Sequence, residues 1–175
     1  MHELLRAGKV DIDYLIRYTN APYLVVENPG GADHGLYARD DEGRELCWDR
    51  VRHRAVPFKD PDLKPALKGM VELTDGRQAR PVFELLAERY LDNHYSPDVV
   101  SYQTGIDADV IRRIAAELAE VAFEQEITID QPWTDWRGEK HDKIIGRPVA
   151  MHAMRGISAH SNGFHTCRAI HLLQI

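Results

Sequence analysis

The chain has 175 residues, of which 43% are hydrophobic and 29% are charged, and this balance indicates a folded globular protein. Its net charge of −6 argues against wholesale nucleic-acid binding, and no apolar run approaches the roughly 20 residues that a membrane-spanning helix needs. Cys47 and Cys167 form no Cys-x-x-Cys motif, so they are predicted to be reduced, buried thiols.

The amino-terminal part, residues 1–27, is predicted to contain two short helices and a strand. Gly8 is the predicted stop of the first helix, and Asp11 is the predicted N-cap of the second. Residues 23–26 are β-branched or aromatic apart from one leucine, and this composition favours a buried strand.

Residues 28–80 have a different character. Turn signals begin at Asn28, Asp40 and Thr74, and three prolines between residues 57 and 65 exclude long helices. We interpret this segment as an irregular excursion with short antiparallel strands, lying on the surface of a larger body. The charge run that begins at Asp49 is predicted to be a solvated face.

Residues 81–175 are predicted to be an α/β segment. Pro81 and Pro97 suit the first turns of two helices, and Asp107 is the predicted N-cap of the clearest helix in the chain. A polar loop follows, in which Trp133 and Trp136 are interpreted as cleft packing rather than ligand contacts. The predicted apolar face of the Asp107 helix consists of Val110, Ile111, Ile114, Ala115, Leu118, Val121 and Ala122.

The carboxyl-terminal stretch is the predicted functional region. Residues 148–154 are apolar apart from His152 and predict a strand covered on both faces, as in a parallel sheet. Small and polar residues then form a predicted loop, and a helix is expected to start near Ser161 or Asn162. A strand–loop–helix unit places ligands outside the carboxyl end of the strand, and a helix start favours anions.

Two other chemistries fit this region less well. The late histidines, His152, His160, His165 and His171, lack the second close pair that a zinc site usually has, and no metal ligand is predicted. Ser158 lacks the second glycine of a Gly-x-Ser-x-Gly nucleophile elbow. The helical patterns at both termini start or stop without caps, so we expect the chain to be a piece of a longer one.

Three segments together resemble the dimethyl sulfoxide reductase family of molybdopterin oxidoreductases. They are the run Asp-Ile-Asp-Tyr-Leu-Ile-Arg-Tyr-Thr-Asn from Asp11, the run Thr-Gly-Ile-Asp-Ala-Asp-Val-Ile from Thr104, and the run Arg-Gly-Ile-Ser-Ala-His-Ser-Asn-Gly-Phe-His from Arg155. The polar tryptophan loop most resembles the sulfite-oxidising and polysulfide-reductase-like group. The resemblance implies a fragment of the α/β body from the middle of a large catalytic subunit.

The resemblance also implies cofactors and partners. The parent protein would carry molybdenum bis(molybdopterin guanine dinucleotide), with an iron–sulfur cluster in the missing amino-terminal part. It would act with the remainder of the catalytic subunit, with an iron–sulfur electron-transfer subunit, at the cytoplasmic or periplasmic face of the inner membrane and without membrane insertion. The expected reaction is a two-electron oxidation or reduction of a small substrate, for which a sulfur oxyanion is one candidate, and the fragment alone is expected to be inactive.

By the same resemblance, one loop supplies the site residues. The expected catalytic residues are Arg155 and His160. Two alternatives stay open: a free-standing α/β module that binds an anionic small molecule without redox chemistry, and a zinc hydrolase that uses the late histidines. The expected cofactor-binding residues are Gly156, Ser161, Asn162, Gly163 and His165.

Overall fold

The computed structural model describes residues 1–135 and 138–174. The helices are α1 (His2–Arg6), α2 (Ile12–Tyr18), α3 (Val82–Leu91), α4 (Pro97–Thr104), α5 (Ala108–Glu124), α6 (Arg155–Ser158) and α7 (Gly163–Gln174). The strands are β1 (Leu24–Glu27), β2 (Leu46–Asp49), β3 (Arg54–Pro57), β4 (Val71–Glu72), β5 (Gln78–Pro81), β6 (Ile127–Ile129), β7 (Trp133–Thr134), β8 (Lys140–His141) and β9 (Ile144–Gly146).

The chain forms two compact units of mixed α/β structure. Unit 1 comprises Met1–Val10 and Asn93–Ile175, and unit 2 comprises Asp11–Asp92. The boundaries of these units differ from the predicted boundaries after residues 27 and 80. The predicted boundaries stay a prediction. All strand pairs in the described part of the chain are antiparallel, so the parallel sheet expected around the carboxyl-terminal strand does not form there.

Local signals placed most helix ends correctly. The Asp11 carboxylate caps α2 by accepting the backbone N–H of Tyr14 at 3.0 Å, and the Asp107 carboxylate caps α5 by accepting that of Asp109 at 2.8 Å. Gly105 ends α4 in the left-handed conformation with φ of 71°, which glycine adopts without steric cost.

Unit 2 is organised around a three-stranded sheet in the order β1–β5–β4, with the hairpin of β2 and β3 beside it. In the register of this sheet, Leu24 lies opposite Pro81, and Val26 lies opposite Ala79. The buried cluster consists of Leu24, Val26, Ala38, Leu73 and Ala79.

The predicted surface excursion therefore needs correction. Ala38, Cys47, Val56 and Leu73 all fall within residues 28–80 and are buried. The short antiparallel strands expected there do form, but the segment supplies much of the core of unit 2 instead of lying on a surface. Turn-rich sequence hides this role because the buried residues come singly between turns.

Unit 1 is much less buried. Among its described residues, the buried ones are Ser96, Pro97, Ala119 and Gly163. Helix α5 has the predicted apolar face, yet Ile114 on that face is 53% exposed. The sequence pattern thus identified the apolar face of α5 correctly but not how little of it is covered within the unit.

The predicted strand at residues 148–154 is wrong. This segment has no regular secondary structure and leads directly into the short helix α6. An apolar run becomes a strand only where another strand completes its hydrogen bonds, and the described residues provide no such partner here. The predicted helix start near Ser161 or Asn162 is confirmed, because α7 begins at Gly163.

Candidate functional site

The predicted site residues lie on a pair of consecutive helices, α6 and α7. A turn joins the two helices, and in it the backbone N–H of Gly163 donates to the carbonyl oxygen of His160 at 2.9 Å. The N–H of Thr166 then donates to the carbonyl of Asn162 at 3.1 Å, which opens α7. The arrangement is helix–turn–helix rather than the strand–loop–helix that the sequence suggested.

The two glycines predicted to bind a cofactor occupy different environments. A Cβ atom at Gly163 would overlap the carbonyl group of Ser158, so glycine is required there by the close approach of α6 to α7. Gly156 has no heavy atom within 4 Å of the position of a Cβ atom. The structure thus gives Gly163 a packing role and leaves Gly156 facing open space.

The remaining predicted site residues lie within eleven positions of one another in the sequence, from 155 to 165, and are exposed. Arg155, His160, Ser161, Asn162 and His165 are all open to solvent. In the part of the chain that the structure describes, no hydrogen bond or ion pair joins the side chains of Arg155 and His160. The helices therefore present a group of polar side chains that can meet a ligand from solvent, without a preformed catalytic pair.

The charge of this region is the signal that the motif analysis missed. From Lys143 to the end of the chain there is no aspartate or glutamate, whereas the protein as a whole carries a net charge of −6. The same stretch contains four cationic side chains and four histidines, and its arginine Arg155 has no carboxylate partner among the described residues. A surface of this composition attracts anions and leaves the Arg155 guanidinium group available to bind them. The cationic side chains are Lys143, Arg147, Arg155 and Arg168, and the histidines are His152, His160, His165 and His171.

One group of side chains in unit 1 has the composition of a metal site. The ligand atoms of Asp135, Glu139 and His141 lie within 4.8 Å of one another at the hairpin of β7 and β8. Trp133 stacks on His141 with ring centroids 4.7 Å apart, so it packs within the hairpin, and its predicted place in a cleft stays a prediction. Carboxylates and imidazole are ligands that zinc accepts. No metal ligand was predicted from the sequence here, because Asp135, Glu139 and His141 come together only when β7 pairs with β8.

The Asp135 carboxylate is already engaged by protein groups. Its Oδ1 accepts the backbone N–H of Glu139 at 2.9 Å, and its Oδ2 lies 3.4 Å from His141 Nε2. These contacts explain the hairpin without an ion. The other predicted tryptophan of this loop, Trp136, lies outside the described residues.

The late histidines and the two cysteines were the other candidates for reactive side chains. No three of the late histidines bring ligand atoms together in the described residues, which gives no support to the zinc hydrolase alternative. Both cysteines are free; Cys47 is buried and Cys167 is half-buried. Burial raises the pKa of the Cys47 thiol to about 12, so this thiol stays protonated at neutral pH.

A groove also lies between α1 and α5 in unit 1, with a volume of about 330 Å³. Half of its lining residues are alanines, and none of the predicted site residues contributes to it. The lining residues are Glu3, Leu4, Arg6, Ala7, Arg112, Ala115, Ala116 and Ala119.

The length and hydropathy of the helices bear on the predicted relation to the membrane. Across residues 1–135 and 138–174, no helix combines the length and the apolar character needed to cross a bilayer. The predicted face of the inner membrane stays a prediction.

Comparison with known proteins gives one informative similarity. No protein-family model matches the chain. The chain is 42% identical over 180 residues to a sulfite dehydrogenase subunit from Allochromatium vinosum. The aligned region covers 98% of this chain but only 18% of that protein.

These findings correct two predictions. The assignment to the dimethyl sulfoxide reductase family is wrong, because the protein to which this chain is similar is named a sulfite dehydrogenase subunit. The predicted function, a fragment of a molybdenum enzyme that binds a bis-pterin cofactor, is therefore wrong as well. The structure shows a small mixed α/β fold with short antiparallel sheets. The molybdenum cofactor of the parent protein and the iron–sulfur cluster of its amino-terminal part stay predictions.

Proposed function

We propose that this chain is part of an oxidoreductase related to sulfite dehydrogenase and helps to bind a small sulfur oxyanion. The observation that carries the proposal is the 42% identity across 98% of the chain. Oxidation of sulfite to sulfate removes two electrons from sulfur and adds an oxygen atom from water, with release of two protons. The substrate and the product are both oxyanions, so they need cationic and N–H-donating groups.

The surface of α6 and α7 supplies groups of this kind. Arg155 can donate two parallel N–H groups to the oxygens of sulfite, and His160 and His165 add imidazole groups nearby in sequence. Ser161 and Asn162 lie in the turn before α7 and offer further polar groups. No carboxylate in this stretch competes for Arg155, and this supports oxyanion binding.

We infer that the redox group and the electron acceptor belong to other parts of the enzyme. The chain spans 18% of the length of its relative, which leaves room for a redox centre in the remainder. The relative is named as one subunit of its enzyme, and we infer a partner subunit for this chain as well, with an iron–sulfur protein as the electron acceptor.

A segment exchange tests the proposal. The aligned segment of the Allochromatium vinosum protein is replaced with this chain, and sulfite-dependent reduction of an artificial electron acceptor is measured in the assembled enzyme. We expect activity to be retained and Arg155→Ala to raise KM for sulfite about tenfold, equivalent to about 1.4 kcal/mol of lost binding. Arg113→Ala is the matched control, because Arg113 is 62% exposed on α5 and pairs only with Glu117 among the described residues.

The second candidate is an anion-binding module without redox chemistry, favoured by the carboxylate-free surface from Lys143 onward. Titration of the 175-residue chain with sulfite by calorimetry separates the two. If the chain binds sulfite, and the enzyme carrying the exchanged segment assembles but is inactive, the chain is an anion-binding module without redox chemistry. An exchange protein that assembles and oxidises sulfite excludes it.

A further inference from the structure

The turn between β2 and β3 in unit 2 is built around a buried carboxylate. Asp49 is fully buried, and its Oδ1 accepts the backbone N–H groups of Val51 at 2.8 Å and Arg52 at 2.9 Å. Its Oδ2 accepts the N–H of Lys64 at 3.3 Å, and the N–H of Arg50 donates to the carbonyl of Lys64 at 3.0 Å. These bonds tie the turn to the chain around Lys64.

An ion pair between Arg52 and Asp60 also holds this turn. Arg52 donates to both carboxylate oxygens of Asp60, at 2.7 and 2.9 Å. His53 has a φ of 51°, which is uncommon for a residue with a side chain and persists only where neighbouring contacts enforce it. These contacts therefore hold the backbone of the turn in one conformation.

Three of the side chains displayed at this turn are cationic, and the fourth is a histidine. We define the basic tip as Arg50, His53, Arg54 and Lys64, all of which are exposed. Within the described residues, none of the four makes a side-chain hydrogen bond or ion pair. The nearby carboxylates are Asp49, which is turned inward, Asp60, which is held by Arg52, and the exposed Asp62.

Four other arginines of unit 2 are engaged by carboxylates. Ion pairs with unit 2 carboxylates engage Arg39, Arg44, Arg77 and Arg80. These pairs hold the fold together, whereas the cations of the basic tip stay available to a partner. Because the backbone of the turn is already held by Asp49, binding need not order that backbone, and this favours recognition.

We propose that the basic tip is a docking surface for an acidic segment of another protein. Arginine is among the side chains enriched at protein interfaces, and Val51, which lies between Arg50 and His53 and is 68% exposed, adds apolar contact area beside the arginines. A nucleic acid fits less well, because the whole chain carries a net charge of −6. The proposal does not depend on the function of α6 and α7.

The test measures fluorescence anisotropy of a labelled peptide of about eight glutamates, a block long enough to act as an acidic interaction segment. We expect binding that weakens about tenfold or more between about 0.05 M and 0.3 M NaCl, because salt screens exposed charges. The double variant Arg50→Glu with Arg54→Glu should lose at least about tenfold in affinity. The control is Arg17→Glu with Arg89→Glu, two exposed arginines of unit 2 outside the tip, and it should bind like the unmodified chain.

Thermal unfolding checks that both double variants fold equally well. Three results would overturn the proposal: no binding of the peptide, equal loss in the control variant, or binding of a single-stranded oligonucleotide of the same charge that is as tight as that of the peptide. Binding of the peptide lost only in the tip variant supports it.

Discussion

At the scale of the residue, Asp49 shows how context changes the role of a side chain. In the sequence it opens a charge run that resembles a solvated face. In the structure its carboxylate is fully buried and accepts three backbone N–H groups. These backbone hydrogen bonds, that of Arg52 first, lower the pKa of the Asp49 carboxyl group below its ordinary value.

The substitution Asp49→Ala should lower the melting temperature of the chain by several degrees, because the N–H groups of Val51, Arg52 and Lys64 lose their acceptor. Asp49→Asn should lower the melting temperature less, since the amide oxygen of asparagine can still accept two of these three N–H groups. Thermal unfolding followed by circular dichroism measures the difference. A melting temperature of Asp49→Ala equal to that of the unmodified chain would show that the carboxylate does not hold the turn.

Two glycines of α6 and α7 provide a matched pair. Gly163→Ala should destabilise the chain by about 1–3 kcal/mol, because the new Cβ atom overlaps the Ser158 carbonyl and forces the helices apart. Gly156→Ala should be neutral or stabilise by up to about 1 kcal/mol, since it adds a better helix former in open space.

Urea unfolding of both variants measures these changes. Because Gly156→Ala leaves the fold intact, any loss of sulfite binding in that variant reports a ligand that approaches the backbone at residue 156. Gly163→Ala with wild-type stability would contradict the close approach of the two helices.

At the scale of the element, helices and strands differ in what defines them. The ends of α2 and α5 follow from side chains that accept the first free N–H groups, and those side chains are neighbours in sequence. Strand β1 depends on β5, more than 50 residues away, through the pairing of Leu24 with Pro81. Sequence reasoning therefore located helices well and missed most strand partners.

Strand β1 also gives a direct test of the core. Leu24→Ala should destabilise unit 2 by roughly 2–5 kcal/mol, because Leu24 is fully buried in the cluster that includes Val26 and Ala79. Leu36→Ala is the control: Leu36 is 59% exposed, and its loss should change stability by less than about 0.5 kcal/mol. Urea midpoints compare the two, and a similar cost for both would contradict the assignment of the core.

At the scale of the whole molecule, the two units have different kinds of stability. Unit 2 has a contiguous buried cluster of aliphatic side chains, whereas the described part of unit 1 buries few residues. Exposed apolar side chains on α5 and the strand β6, such as Ile114 and Ile129, leave apolar surface open to solvent. Hydrophobic burial thus stabilises unit 2 more than unit 1.

The acid stability of the chain follows from its ion pairs. Hydrogen bonds from Arg52 lower the pKa of the Asp60 carboxyl group to about 2, and other unit 2 carboxylates also titrate below their ordinary values. A carboxyl group whose pKa is lower in the folded state binds fewer protons there, so its contribution is full above about pH 4 and is lost as pH falls toward 2. The other carboxylates are Asp33, Asp40, Asp49 and Asp75.

We therefore expect the urea midpoint of unit 2 to stay level from pH 7 to about pH 4 and to fall steeply between about pH 4 and pH 2. Asp60→Asn should lower the midpoint at neutral pH and make the fall shallower. Intrinsic fluorescence of Trp48, which belongs to unit 2, can report the transition. A midpoint that stays level down to pH 2 would contradict a stabilising role for these carboxylates.

The sequence by itself determined the mixture of helices and short strands, the capped starts of α2 and α5, and the start of α7 at Gly163. It could do so because caps, turns and amphipathic faces depend on residues within a few positions of one another. Only the tertiary structure decided that residues 148–154 form no strand, that residues 28–80 build a core, and that Asp135, Glu139 and His141 converge. Each of these depends on a partner distant in sequence, and a strand or a buried position exists only where such a partner completes its hydrogen bonds or its packing.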